Sequence, residues 1–208
     1  METVETILKE LEQKYPNAKY ELDWETPLQL LVATILAAQC TDERVNRVTK
    51  SLFPKYPDAR AYAEADLSEL EEDVKPTGFY KNKAKTVQNV CQALVNRFDG
   101  EVPKTIQELI TLPGVARKTA NVVLNTAFDI ASGVIVDTHV ARVTQRLGLT
   151  KTDKPEQIEV DLMRLVPKEK WTFWGPAMVL HGRYTCTAKK PKCEECILEG
   201  VCQKNGLT

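Results

Sequence analysis

Two side chains of this 208-residue chain have the types and spacing to act as a nucleophile and its carboxylate partner. Lys118 follows Arg117 in the run Leu112-Pro113-Gly114-Val115-Ala116-Arg117-Lys118-Thr119-Ala120-Asn121. In the first turn of a helix an ammonium group meets the positive end of the helix dipole. That effect, roughly 0.3 to 1 kcal/mol, can only assist desolvation in favouring the neutral, nucleophilic amine. Alone, such a lysine reads first as a phosphate ligand or a solvated charge. A partner stands nineteen residues on, at Asp137 in Val136-Asp137-Thr138-His139-Val140. Asp137 precedes a helical pattern of Val140, Val143 and Leu147 that closes at Gly148, so it fits an N-cap. A carboxylate held there stays ionised at neutral pH and could take a proton from Lys118 or stabilise positive charge developing nearby.

A second constellation is Cys186, Cys193, Cys196 and Cys202, spaced C-x6-C-x2-C-x5-C within seventeen residues. In a reducing compartment such density points to a shared metal centre rather than to disulfides. Composition leaves zinc and an iron-sulfur cluster both open, since each accepts four thiolates. Common zinc sites of this kind use two C-x2-C knuckles, and only Cys193-Cys196 forms one.

The elements that must hold these groups are helical. Thr105 to Ile110 reads as a short helix with a hydroxyl N-cap, and Ala116 to Phe128 as a second one, meeting across Pro113-Gly114. The free N–H groups opening the second helix suit phosphate, although a plain structural hairpin is the commoner origin of such a turn. That helix is about 18 to 20 Å long, and the eight residues 129–136 reach up to about 26 to 29 Å, so the chain can return Asp137 to the helix start.

Upstream, Val4, Ile7, Leu8, Leu11 and Tyr15 share a helical face that Pro16 ends. Pro27 opens a helix in which nine of the eleven residues 28–38 are apolar, which makes it the central one. It closes at Gln39-Cys40, and Thr41 caps a helix through Leu52. Two short helices follow Pro54 and Pro57, and a turn at Pro76 to Tyr80 leads into a long helix from Lys81 to Phe98. Phe79 and Tyr80, flanked by Lys81, Lys83 and Lys85, either pack inward beside solvated lysines or form an aromatic wedge beside phosphate contacts. Beyond the linker 151–155, Glu156 to Leu165 and a segment from Trp171 to Tyr184 read as helices. Cys40 and Cys91 read as small buried hydrophobes, and His139 and His181 as hydrogen-bonded structural residues.

Hydrophobic content of 43% and charged content of 27% describe a globular chain and exclude a disordered one. The net charge of −1 fits a nucleic-acid binder only if charge is segregated. It is: residues 61–73 carry six acids and no base, while Lys75, Arg117, Arg183, Lys189, Lys190 and Lys192 stand near the chemistry. The longest apolar run, eleven residues, is too short to span a bilayer, and no secretion signal opens the chain, so no membrane partner and a cytoplasmic location are expected.

Leu112 to Lys118 followed by Val136-Asp137-Thr138-His139 resembles the helix-hairpin-helix and Gly/Pro-Asp signature of the endonuclease III family of DNA glycosylases. The similarity continues through His181-Gly182-Arg183-Tyr184-Thr185-Cys186 and the later cysteines; Ala116 stands where the family more often has glycine. The resemblance implies an all-α protein of two helical domains flanking a DNA-binding cleft. A six-helix domain would span 21–130, and residues 1–20 and 131–208 would form the iron-sulfur domain. It implies a [4Fe-4S] cluster on Cys186, Cys193, Cys196 and Cys202, with a structural role. It implies a bifunctional glycosylase and abasic-site lyase, with Lys118 and Asp137 catalytic. DNA contacts would come from Gly114, Ala116, Arg117, Lys189, Lys190 and Lys192, while Gln39 and Phe79 enter the duplex. The expected partner is double-stranded DNA with damaged pyrimidines or abasic sites, bound by a monomer in the nucleoid. Two other readings stand beside it. A monofunctional mismatch glycosylase typically lacks the hairpin lysine, and a non-catalytic DNA-binding or redox-sensing module would leave Lys118 and Asp137 without a purpose.

Overall fold

A computed structural model describes residues 2–207, and every regular element among them is helical. The α-helices are α1 (Glu2–Lys14), α2 (Pro27–Leu36), α3 (Asp42–Lys55), α4 (Ala59–Glu64), α5 (Leu67–Val74), α6 (Tyr80–Phe98), α7 (Ile106–Leu109), α8 (Arg117–Ala127), α9 (Thr138–Leu147), α10 (Pro155–Leu165) and α11 (Trp171–Tyr184). Short 3-10 turns stand at Lys75–Thr77, Lys168–Lys170, Cys193–Glu195 and Glu199–Val201. The chain divides into two compact units, residues 21–129 and residues 1–20 with 130–208.

In the unit 21–129, α2 is the apolar centre that its composition requires. Leu30, Leu31, Val32, Ala33, Ile35 and Leu36 are all buried, each larger side chain contributing roughly 1.5 to 3 kcal/mol by leaving water. Pro27 sits in its first turn, where the missing N–H is no loss, and the Thr26 hydroxyl accepts from Gln29 N–H. Helix α6 packs on α4 and α5, and α2 packs on α3, α6 and α8. Seven α-helices lie in this unit where the resemblance implies six, and α7 is only one turn. The break expected at Pro54 falls elsewhere: α3 runs through it to Lys55. A proline this near a helix end removes a single ladder bond, and Tyr56 N–H still closes on Leu52 O at 2.9 Å. Cys91 is fully buried, with its thiol pushed up to about 12, but Cys40 is only half-buried because it lies in the turn after α2 rather than in the helix.

In the other unit, Val4, Ile7, Leu8 and Leu11 of α1 join Val140, Val143 and Leu147 of α9, Ile158 and Leu162 of α10, and Trp174 and Met178 of α11 in one core. Helices α9 and α11 approach closely at Gly182, where a Cβ would lie 2.9 Å from that of His139. His181 is buried and neutral at physiological pH, its pKa drawn down to about 4 by burial and then by the charge of Lys14.

Candidate functional site

The hairpin that the sequence centres on is built from the turn outward. Thr105 caps α7, accepting from Glu108 N–H at 3.3 Å, and Val115 N–H closes the turn on Leu112 O at 3.1 Å. Leu112 and Val115 are buried and pin the turn to the core, while Pro113, Gly114 and Ala116 to Lys118 face outward. Gly114 has φ +75°, and a Cβ there would lie 2.6 Å from the Thr86 methyl carbon on α6. Ala116 is the N-cap of α8 and offers no side-chain hydrogen bond, which leaves the opening N–H groups of the helix for an anion. Arg117 and Lys118 occupy the exposed first turn above them.

Two further turns reach the same surface. Gln39 and Phe79 both hold left-handed backbone, with φ of 53° and 48°. They line one concavity of about 330 Å³ together with Asn82, Lys83, Gly114 and Thr119. The structure separates the aromatic pair: Phe79 is 63% exposed, whereas Tyr80 turns inward against the core. It also corrects the reading of the neighbouring lysines. Lys81 and Lys85 are exposed, but Lys83 is buried, so it contacts no phosphate. Its Nζ donates to Leu36 O and to Thr77 O, each at 2.8 Å. Nothing in the helical spacing marks Lys83 off from its neighbours, so its burial was not legible.

Asp137 belongs to the other unit, at the N-cap of α9. Its Oδ1 accepts from His139 N–H and Val140 N–H, both at 2.8 Å. The buried run Val134, Ile135 and Val136 anchors the approach to this cap. Burial, and then the charge of Asp137, hold the Tyr20 phenol well above its ordinary pKa, and its hydroxyl has no hydrogen-bond partner among the described residues. No spacing in the sequence links Tyr20 to Asp137.

Cys186, Cys193, Cys196 and Cys202 line one cavity, each half-buried and none in a disulfide. Among the described residues no three His, Cys, Asp or Glu side chains converge on a single-ion position. Donors are aimed at the sulfurs as bound thiolates require: Arg146 at Cys186 (3.2 Å), Leu198 N–H at Cys196 and Lys204 N–H at Cys202 (both 3.4 Å). Arg142 and Arg146 of α9 also donate to Cys186 O, at 3.1 and 3.3 Å. Between the first two cysteines, Lys189, Lys190 and Lys192 are exposed on a loop that is closed by Thr187 Oγ1 to Lys190 O (2.7 Å) and Lys192 N–H to Thr185 O (3.0 Å). His139 Nδ1 meets Arg142 at 3.2 Å, and His181 lies between Tyr15 and Cys196, both at 3.5 Å, in the hydrogen-bonded settings expected of them.

Comparison with known proteins extends this picture. Residues 32–168 match the family described as HhH-GPD superfamily base excision DNA repair protein, and residues 186–202 match the iron-sulfur binding domain of endonuclease III. The chain is 57% identical to endonuclease III of Synechocystis sp. over 94% of its own length and 90% of the relative's. It is 43% identical to endonuclease III of Bacillus subtilis over 98% and 93%. A solved structure of a trapped endonuclease III–DNA covalent intermediate superimposes with a TM-score of 0.93 at 43% identity, covering 98% of this chain and 95% of that one. A thermostable thymine-DNA glycosylase shares the fold at a TM-score of 0.87 and 21% identity.

Proposed function

The chain belongs to the HhH-GPD superfamily of base excision DNA repair proteins and within it to the endonuclease III family, and from that premise we propose that it excises damaged pyrimidines from duplex DNA and then cleaves the strand. It is a DNA glycosylase with abasic-site lyase activity. Lys118 Nζ attacks C1′ of the flipped deoxyribose, and the C1′–base bond breaks with the electron pair leaving on the base. The secondary amine then opens the sugar ring to an iminium, which withdraws electrons from C2′. Loss of a C2′ proton expels the 3′ phosphate, and the strand is cut by β-elimination. Asp137, held at its helix cap, takes the proton from Lys118 and stabilises the cationic sugar. What supports these roles is the exposed amine at the uncapped start of α8, beside amide donors suited to phosphate, and an aspartate held by two backbone N–H groups at the cap of α9.

The [4Fe-4S] cluster is carried by Cys186, Cys193, Cys196 and Cys202 and supplies no step of the reaction; it folds the loop that presents Lys189, Lys190 and Lys192 to phosphate. Gly114, Ala116 and Arg117 grip one strand, while Gln39 and Phe79 fill the space that the extruded nucleotide leaves. Flipping costs least for a damaged or mispaired base, which gives part of the selectivity. The enzyme acts as a monomer on nucleoid DNA, its two working domains being residues 21–130 and residues 1–20 with 131–208.

Borohydride reduction during turnover on a duplex with a single thymine glycol tests the proposal. A covalent protein–DNA adduct is expected, and Lys118→Ala abolishes it while retaining binding to an uncleavable abasic analogue. No adduct from folded, cluster-loaded protein would refute the lyase.

A further inference from the structure

We propose that Lys83 is a positioning residue, a buried cationic clip that holds the turns carrying Gln39 and Phe79 in the left-handed conformations from which they enter the duplex. This rests on the roles given above to Gln39 and Phe79.

Lys83 is only 5% exposed, and no carboxylate pairs with it among the described residues. Burying an ammonium group is costly unless every face of it is met by polar atoms, so a residue with no task beyond packing would be aliphatic here. What meets it are two main-chain carbonyls from segments far apart in sequence. Leu36 O belongs to the last residue of α2, three before Gln39, where the negative end of the helix favours a cation. Thr77 O lies two residues before Phe79, in the 3-10 turn that precedes α6.

Each clipped segment then enters left-handed backbone at a residue with a side chain, where the Cβ strains against the following carbonyl. Neither turn has a glycine at that residue to relieve it. The Thr77 hydroxyl donates to Val74 O at 2.8 Å, so the second carbonyl is itself on a fixed turn. One side chain thereby sets the spacing between two strained turns whose tips line the same concavity as Gly114. Without it, Leu36 O and Thr77 O lose their buried donor and the turns are free to relax independently.

The test compares the parent, Lys83→Met, Phe79→Ala and the double variant on two duplexes, one with a stacked thymine glycol and one with a preformed abasic site that leaves no base to unstack. The readouts are the single-turnover excision rate and the borohydride-trapping rate. Lys83→Met is expected to lower the ratio of excision to trapping at least tenfold. It should do so far less in the Phe79→Ala background, where there is no wedge left to position. An unchanged ratio in folded Lys83→Met, or an equal effect in both backgrounds, overturns the clip. If Lys83→Met does not fold, Lys83→Gln, which keeps a donor on a shorter stem, is judged by the same two criteria. A parent that forms no adduct on either duplex would instead overturn the lyase reading, so the two failures are told apart.

Discussion

Gly114 meets two demands at one position, a φ of +75° and a neighbour, the Thr86 methyl, where any Cβ would intrude. Each has a separable cost. Gly114→Ala should lose roughly 1 to 3 kcal/mol in denaturant unfolding, and Thr86→Ser, which deletes the methyl, should restore the steric part but not the backbone part. Full restoration would show that the φ carries no strain. Gly114 was legible from sequence because Pro-Gly between two helical patterns has a short-range physical meaning. The positions of Lys118 in a helix's first turn and of Asp137 at a helix cap, and the grouping of the four cysteines around one cavity, were likewise readable from spacing. Lys83 was not, because the same charge stands at 81, 83 and 85 and only the packing of α6 on α2 decides which one is buried. The two possibilities for Phe79 and Tyr80 were likewise separated only by the direction in which the left-handed turn at Phe79 launches the helix.

Helix α9 carries both the proposed catalytic carboxylate and contacts to the cysteine loop. Asp137 caps its first turn, and Arg142 and Arg146 further along it hold the carbonyl of Cys186. The cap and the chemistry are separable, since asparagine caps about as well as aspartate but cannot accept a proton at neutral pH. Asp137→Asn should therefore unfold within about 0.5 kcal/mol of the parent, whereas Asp137→Ala should lose about 1 kcal/mol. Both should be slowed at least a hundredfold in excision. A stable, fully active Asp137→Asn would confine the residue to its cap. The helix was readable in advance from Val140, Val143, Leu147 and the terminal Gly148, which takes φ +77°. Its grip on the cysteine loop was not, because an arginine donating to a distant carbonyl leaves no pattern in the local sequence.

For the molecule as a whole, a net charge of −1 is compatible with binding a polyanion because the charges are sorted. The acids of residues 64–73 lie on and beside α4 and α5, while Lys189, Lys190 and Lys192 stand exposed on the cysteine loop. Replacing those three lysines by glutamine should flatten the dependence of log affinity on log salt by about 0.9 for each phosphate that is no longer neutralised, measured on undamaged duplex. Removing iron from the native protein should flatten it similarly, because the loop then loses its frame. An unchanged slope in the triple variant would place the phosphate-binding groups elsewhere. The division of the chain into two helical units follows from two separate cores; periodicity marks apolar helices in each, while the split itself was implied by the family resemblance alone.

The proposed chemistry turns on which nitrogen joins the sugar. Digesting the borohydride-trapped complex and locating the deoxyribose remnant by tandem mass spectrometry reads this directly. The remnant should sit on Lys118 alone. Finding it on another lysine or on the terminal amine, with Lys118 unmodified, would contradict the mechanism.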